Sequence, residues 1–160
     1  MGAAIGILVG QLLGAGKVQE AKDTDRKLIV FSELTCLIFG GIMAAISGVF
    51  PNIYNTEAEI RALASDFILI SAIMMPIHAY TNAAYFTLRS GGKTFVTFLF
   101  DSVFTCVVVA PVAYGLSKYT ALPIVWLFLA CQSLELIKGV VGFWMIRSGV
   151  WIQNIVKEEY

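Results

Sequence analysis

Apolar residues fall into five stretches separated by short polar segments, at residues 1–13, 28–50, 62–88, 94–116 and 122–146. Each of the last four holds at least 23 residues. That is enough to cross a hydrocarbon layer of about 30 Å at about 1.5 Å per residue. The first stretch covers only about 20 Å at the same rise, too short to span alone. The polar segments carry helix-stop chemistry. Gly14-Ala15-Gly16 ends the first helix, Pro51-Asn52 breaks the second, Arg89-Ser90-Gly91-Gly92 ends the third, residues 119–123 separate the fourth from the fifth, and Arg147-Ser148-Gly149 ends the fifth. Both Arg-Ser-Gly stops put a cation at the negative end of a helix dipole, followed by a glycine suited to positive φ. Thr56 and Glu59, at capping-box spacing, predict the start of the third helix.

Composition identifies the solvent for these helices. Hydrophobic residues make up 58% of the 160-residue chain, charged residues 14%, and the mean hydropathy is +0.80. Soluble domains carry about 25% charged residues. The fold class expected is therefore all-α, a polytopic transmembrane helix bundle embedded in a lipid bilayer. A net charge of zero gives no basic footprint for nucleic acid. Cys36, Cys106 and Cys131 lie inside apolar runs without metal-ligand spacing and read as small packing residues. No metal site, cofactor or enzymatic activity is expected. The string from Gly10 to Lys17 superficially resembles a phosphate loop, but Gly10 stands one residue too far back and Val18 follows the lysine.

Charge predicts orientation. Lys17, Lys22, Arg26, Lys27, Arg89, Lys93, Arg147 and Lys157 fall on one side of the layer, against Arg61 and Lys118 on the other. The positive-inside rule then makes the Gly16 loop, the Gly91 loop and the tail at 147–160 cytoplasmic. A short, uncharged, outward-running first helix is a poor beginning for a membrane protein. The expectation is that Met1 is internal to a longer protein.

Polar groups within apolar spans are the candidate chemistry, because burying them there is costly. Asp101 lies seven residues into the fourth span and within reach of the cytoplasmic cations. Glu135 is near the centre of the fifth, with Lys138 at i+3 on the same face. Each carboxylate reads as a cation or proton site on a transport path or, equally plainly, as an ion pair holding helices together. Glu33 reads as interfacial. In the third span, Pro76 predicts a kink and frees a carbonyl one turn earlier. His78, Tyr80, Thr81 and Asn82 follow it, as polar groups do beside broken helices in transporters. Met74, Met75, Tyr80, Tyr85 and Phe86 could wall an adaptable apolar site. Gly2, Gly6, Gly10 and Gly14 recur every four residues, a face that lets a neighbouring helix come close.

Several of these strings share an order with a known family. Gly10-Gln11-Leu12-Leu13-Gly14-Ala15-Gly16-Lys17 with Glu20-Ala21 resembles the end of the eighth helix of multidrug and toxic compound extrusion (MATE) transporters. Leu88-Arg89-Ser90-Gly91-Gly92-Lys93-Thr94 with Asp101 and Pro111 resembles that family's tenth-to-eleventh junction and eleventh helix. Leu122-Pro123, Glu135-Leu136-Ile137-Lys138 and Arg147-Ser148-Gly149-Val150-Trp151 resemble its twelfth helix and C-terminal end. The resemblance covers nearly the whole chain. It implies most of the second six-helix lobe of a twelve-helix transporter whose N-terminal lobe is the missing partner. It gives Gln11, Gly14, Gly16, Arg89, Gly91 and Gly92 structural roles. Some members use an acidic residue within the tenth helix. Here Asp66 lies at that helix's outer end and nothing acidic follows up to Leu88, which shifts the expected coupling site toward the first lobe.

The function implied is a secondary active antiporter in the cell membrane, exporting small organic cations and drugs against inward Na⁺ or H⁺. One alternative is a flippase of related fold for a lipid-linked oligosaccharide, which calls for a more cationic cavity than Lys138 and His78 provide. The other is a membrane fragment that transports nothing.

Overall fold

A computed structural model describes residues 1–152; the rest of the expected tail, including Lys157, lies outside the described residues. Five helices carry the fold: α1 (Gly2–Gly14), α2 (Val18–Ile46), α3 (Ala58–Ser90), α4 (Thr94–Tyr119) and α5 (Ile124–Arg147). A single 3₁₀ turn, Phe50–Ile53, links α2 to α3. The described residues contain no strand. Helices α2 to α5 are long and apolar enough to cross a membrane, and α1 is too short. The protein is an all-α transmembrane bundle.

Several helix ends differ from the apolar runs. Helix α2 starts at Val18, ten residues ahead of its apolar run. Residues 18–27 include Gln19, Glu20, Ala21, Lys22, Arg26 and Lys27, all residue types that favour helix, and a Lys17–Glu20 ion pair of 3.1 Å spans the first turn. It ends at Ile46 rather than Phe50. There the Ser47 hydroxyl donates to the Ala44 carbonyl and the Asn52 amide to the Gly48 carbonyl, each at 2.8 Å, so turn geometry takes over before Pro51. Helix α3 starts at Ala58 with Glu57 as its N-cap and no side-chain cap. The Thr56–Glu59 capping box is therefore absent, because the cap sits one residue later and the register separates the two partners.

Helix α4 is not uniformly α. Its turns at Leu99–Val103 and Thr105–Val109 are π-helical. They lead up to Pro111, which has no N–H for the Val107 carbonyl and whose ring crowds it. The widened turn at Thr105–Val109, which holds Val107, accommodates that crowding. Pro76, by contrast, sits inside an unbroken α3. The carbonyl it leaves unbonded belongs to Ala72 and faces Gly40 of α2, where a Cβ would stand 3.0 Å from the oxygen. Gly40 makes room for that carbonyl.

The glycine stops are present, but after Arg89-Ser90 the positive φ falls on Gly92, while Gly91 keeps a φ of −79°. Gly16 and Gly92 have φ of 72° and 81°. At both, two backbone bonds close a Schellman motif: Gly16 to Leu13 and Lys17 to Leu12, and Gly92 to Arg89 and Lys93 to Leu88. Both lysines stand at the negative end of the helix just closed.

Helix α3 is central, with α1, α2 and α5 packed around it. The glycine face of α1 lies on α3. A Cβ at Gly2 would overlap Phe86 and Asn82, one at Gly6 would come 3.2 Å from Phe86, one at Gly10 would come 3.9 Å from Ser90, and one at Gly14 would meet nothing. The stripe thus works at its start and opens toward its end. Ile5, Val9 and Leu13, on another α1 face, are fully buried with Ala21, Ala83, Leu88 and Trp151. Trp151 reaches this core from beyond α5. Its indole N–H donates to the Ile146 carbonyl at 3.2 Å, and its own backbone carbonyl occupies the space that a side chain at Gly91 would fill.

A polar contact also ties α2 to α3. The Thr87 hydroxyl donates to the Asp25 carboxylate at 2.6 Å, with both residues buried. Elsewhere the long helices turn Leu37, Ile38, Phe39, Ile73, Val140 and Trp144 outward. That distribution suits hydrocarbon on the outside, where apolar exposure has no cost.

Candidate functional site

One face of α3 carries most of the candidate polar groups. His78, Thr81, Asn82, Tyr85, Phe86 and Arg89 follow one another at intervals of three, one, three, one and three residues. At about 100° per residue that pattern stays on a single stripe. The stripe lines a cleft of about 560 Å³ closed on its far side by Phe100 and Asp101 of α4 and by Glu135 and Lys138 of α5.

The charged centre of the cleft is Lys138. Its side chain is only 8% exposed, against 17% for Glu135 and 55% for Asp101. The ammonium stands 2.9 Å from Asp101 Oδ1 and 3.3 Å from Glu135 Oε2. It also lies 5.9 Å from the centre of the Phe100 ring, within cation–π range. A buried ammonium is costly unless paired and hydrogen-bonded, and here two carboxylates answer it. The triad carries a formal charge of −1. Its exposed member, Asp101, belongs to the first π-helical turn of α4, and such turns recur at functional sites.

Asp101 therefore pairs across to α5. It does not turn to the loop cations, because Lys138 is nearer and less hydrated. The i+3 pairing of Glu135 with Lys138 is present as the spacing implied. Tyr80 does not join the cleft. Two residues from His78 is about 200° around the helix, and Tyr80 faces the opposite side of α3. There it shares a crevice of about 430 Å³ with Glu33, Pro76 and Ile77. Met75 packs against Gly40 of α2 rather than lining the cleft, while Tyr85 and Phe86 do line it.

The motif residues separate in the same way. Arg89 closes α3 and also lines the cleft. Gln11 has an exposed side chain, and its carbonyl accepts the Ala15 N–H at 3.0 Å. Gly14 and Gly16 lie at the end of α1 with open space where a Cβ would be. Glu33 lies five residues into the apolar run of α2. The early start of α2 puts it in mid-helix, with one carboxylate oxygen buried and without a hydrogen-bond partner. Sequence reasoning also missed Phe100 and the role of Asp25. The spacing of Ala21, Asp25 and Ser32, all buried, carries the signal for Asp25 once the helix is extended back to Val18.

Among the described residues, no group of three or more His, Cys, Asp and Glu side chains is placed to hold a metal ion. The cleft instead combines the carboxylates of Asp101 and Glu135, the cations of Lys138 and Arg89, an amide, an imidazole and three aromatic rings, a formally neutral lining with faces open to cation–π contact.

Comparison with known proteins agrees with the strings that opened the resemblance. The pattern of the MatE family matches residues 1–115. A curated relative, multidrug and toxin extrusion protein 1 of Xenopus tropicalis, is 30% identical over 138 residues, covering 86% of this chain. The chain spans about a fifth of that relative's length, 21%. No solved structure matches it.

Proposed function

We propose a transport role for this chain, which belongs to the MatE family: it forms part of the second lobe of a secondary active exporter of organic cations. The observation that carries the proposal is the cleft in which Asp101, Glu135 and Lys138 face His78, Asn82 and the rings of Tyr85, Phe86 and Phe100. A lipophilic cation gains from such a site by stacking on the rings and by pairing with the half-exposed Asp101 carboxylate. Lys138 sets a threshold, because an arriving cation competes with it for Asp101.

In this reading the protein exchanges substrate for inward Na⁺ or H⁺, and a lobe outside this chain completes the pathway. Access alternates as the two lobes rock about the binding site. The cation-rich helix ends, with the C-terminus, face the cytoplasm, and the protein sits in the plasma or inner membrane of the cell. Support comes from the relative named for multidrug and toxin extrusion and from the excess of cations on one side of the layer.

The test is transport by the full-length protein in sealed vesicles. A fluorescent organic cation is expected to move against its gradient when Na⁺ or protons flow the other way, and Asp101→Asn and Glu135→Gln each lower the rate. Movement of no organic cation under either gradient ends the proposal.

A further inference from the structure

A crevice of about 880 Å³ lies on the side of α3 opposite the cleft, between the start of α2 and the end of α5. Lys22 and Arg26 of α2 and Arg147 of α5 line one part of it, and Val30 and Phe143 another. The order along each helix is what matters. On α2, Lys22, Arg26 and Val30 are spaced by four residues and run from cationic to apolar. On α5, Arg147 and Phe143 run the same way in reverse, being four residues apart. The helices are antiparallel here, so the two gradients coincide. Cations gather at the end of the bundle where the glycine stops lie, and apolar side chains point toward the layer's interior.

We propose that this crevice binds an anionic glycerophospholipid, with the phosphate at Lys22, Arg26 and Arg147 and an acyl chain along Val30 and Phe143. The charge balance fits. Three cations and Asp25 line the crevice, a formal +2, and the Asp25 carboxylate is buried and already bonded to Thr87. Among the described residues, none of the three cations has a carboxylate within 4.0 Å. Basic pockets between membrane helices at the level of the head groups suit anionic lipids. Free phosphate would satisfy the cations but not the apolar half. The site shares no cation with the cleft, and its occupancy is read without transport.

The experiment uses delipidated full-length protein in phosphatidylcholine nanodiscs, titrated with phosphatidylglycerol and followed by its thermal unfolding midpoint. Phosphatidylglycerol is expected to raise the midpoint. A triple variant, Lys22→Ala with Arg26→Ala and Arg147→Ala, loses that rise while keeping its midpoint in phosphatidylcholine, the apparent affinity falling about fivefold for each cation removed. The charge-preserving pair Arg26→Lys with Arg147→Lys keeps the response, which separates charge from folding. Three results overturn the proposal. One is an equal phosphatidylglycerol response in the triple variant. The second is a rise reproduced by inorganic phosphate, which would mark a free-anion site. The third is a loss of the cation-dependent response when residues 153–160 are deleted, which would make the lipid effect a property of that segment.

Discussion

The Lys138 ammonium stands 2.9 Å from Asp101 and so joins α5 to α4 across the cleft, with Glu135 as a second partner on its own helix. The two carboxylates are not equivalent. Asp101 is more than half exposed and Glu135 is largely covered. Asp101→Asn leaves Lys138 with Glu135 and is expected to cost little stability while slowing transport. Lys138→Met leaves two carboxylates without their cation and is expected to be worse on both counts. A double-mutant cycle on the pair, read by thermal unfolding of the full-length protein, should return a coupling of about 0.5–3 kcal/mol. A coupling of zero would mean that water screens Asp101 and that Lys138 answers to Glu135 alone.

Thr87 supplies the hydrogen bond seen at the buried Asp25 carboxylate. Thr87→Val keeps the shape and removes the donor, so it leaves a buried acceptor unsatisfied at a cost of about 1–3 kcal/mol. Thr87→Ser restores the hydroxyl and should recover most of the loss. Unfolding midpoints of the two variants decide this. Equal midpoints would show that water reaches Asp25.

Gly91 and Gly14 make a paired test of packing. A side chain at Gly91 has to displace the Trp151 backbone, while one at Gly14 meets open space. Gly91→Ala is expected to destabilise by about 1–3 kcal/mol. Gly14→Ala should be neutral or mildly stabilising, since alanine is the better helix former. Similar midpoints for both variants would show that Trp151 does not dock at this place.

Gly92 tests the stop itself. With φ at 81°, Gly92→Ala forces a left-handed backbone on a residue with a Cβ, at about 1–2 kcal/mol. Gly92→Asn should lose less, because asparagine tolerates that region. A loss from asparagine as large as that from alanine would rule out the conformational explanation.

The sequence made the spans and their stops legible, because both depend on local chemistry. Runs of apolar residues mark the membrane segments, and glycine marks the stops at Gly16, Gly92 and Gly149, following an arginine at the last two. Helix starts were less legible. The polar residues 18–27 belong to α2 although nothing apolar announces them, and this hid Asp25. Sorting the polar groups of α3 by adjacency to Pro76 put Tyr80 with His78, whereas sorting by helical angle separates them and admits Arg89. The Asp101–Lys138 contact joins residues 37 positions apart, and no local pattern announces such a pair. The π-helical turn that carries Asp101 has no counterpart in the local sequence pattern either.

Trp151 closes one end of the bundle, where the end of α1, the start of α2 and the last turns of α3 share a common core. Helix α1 is only 13 residues long, and its glycine face meets α3 only along Asn82 to Ser90. Between Ala58 and Ala79, α3 has a single buried residue, Ala72. Among the described residues, packing is therefore dense at one end and sparse at the other. Backbone amides of residues 83–88 would exchange with deuterium last and those of residues 58–70 first, and any opening of this lobe would pivot about the Trp151 end like a hinged jaw.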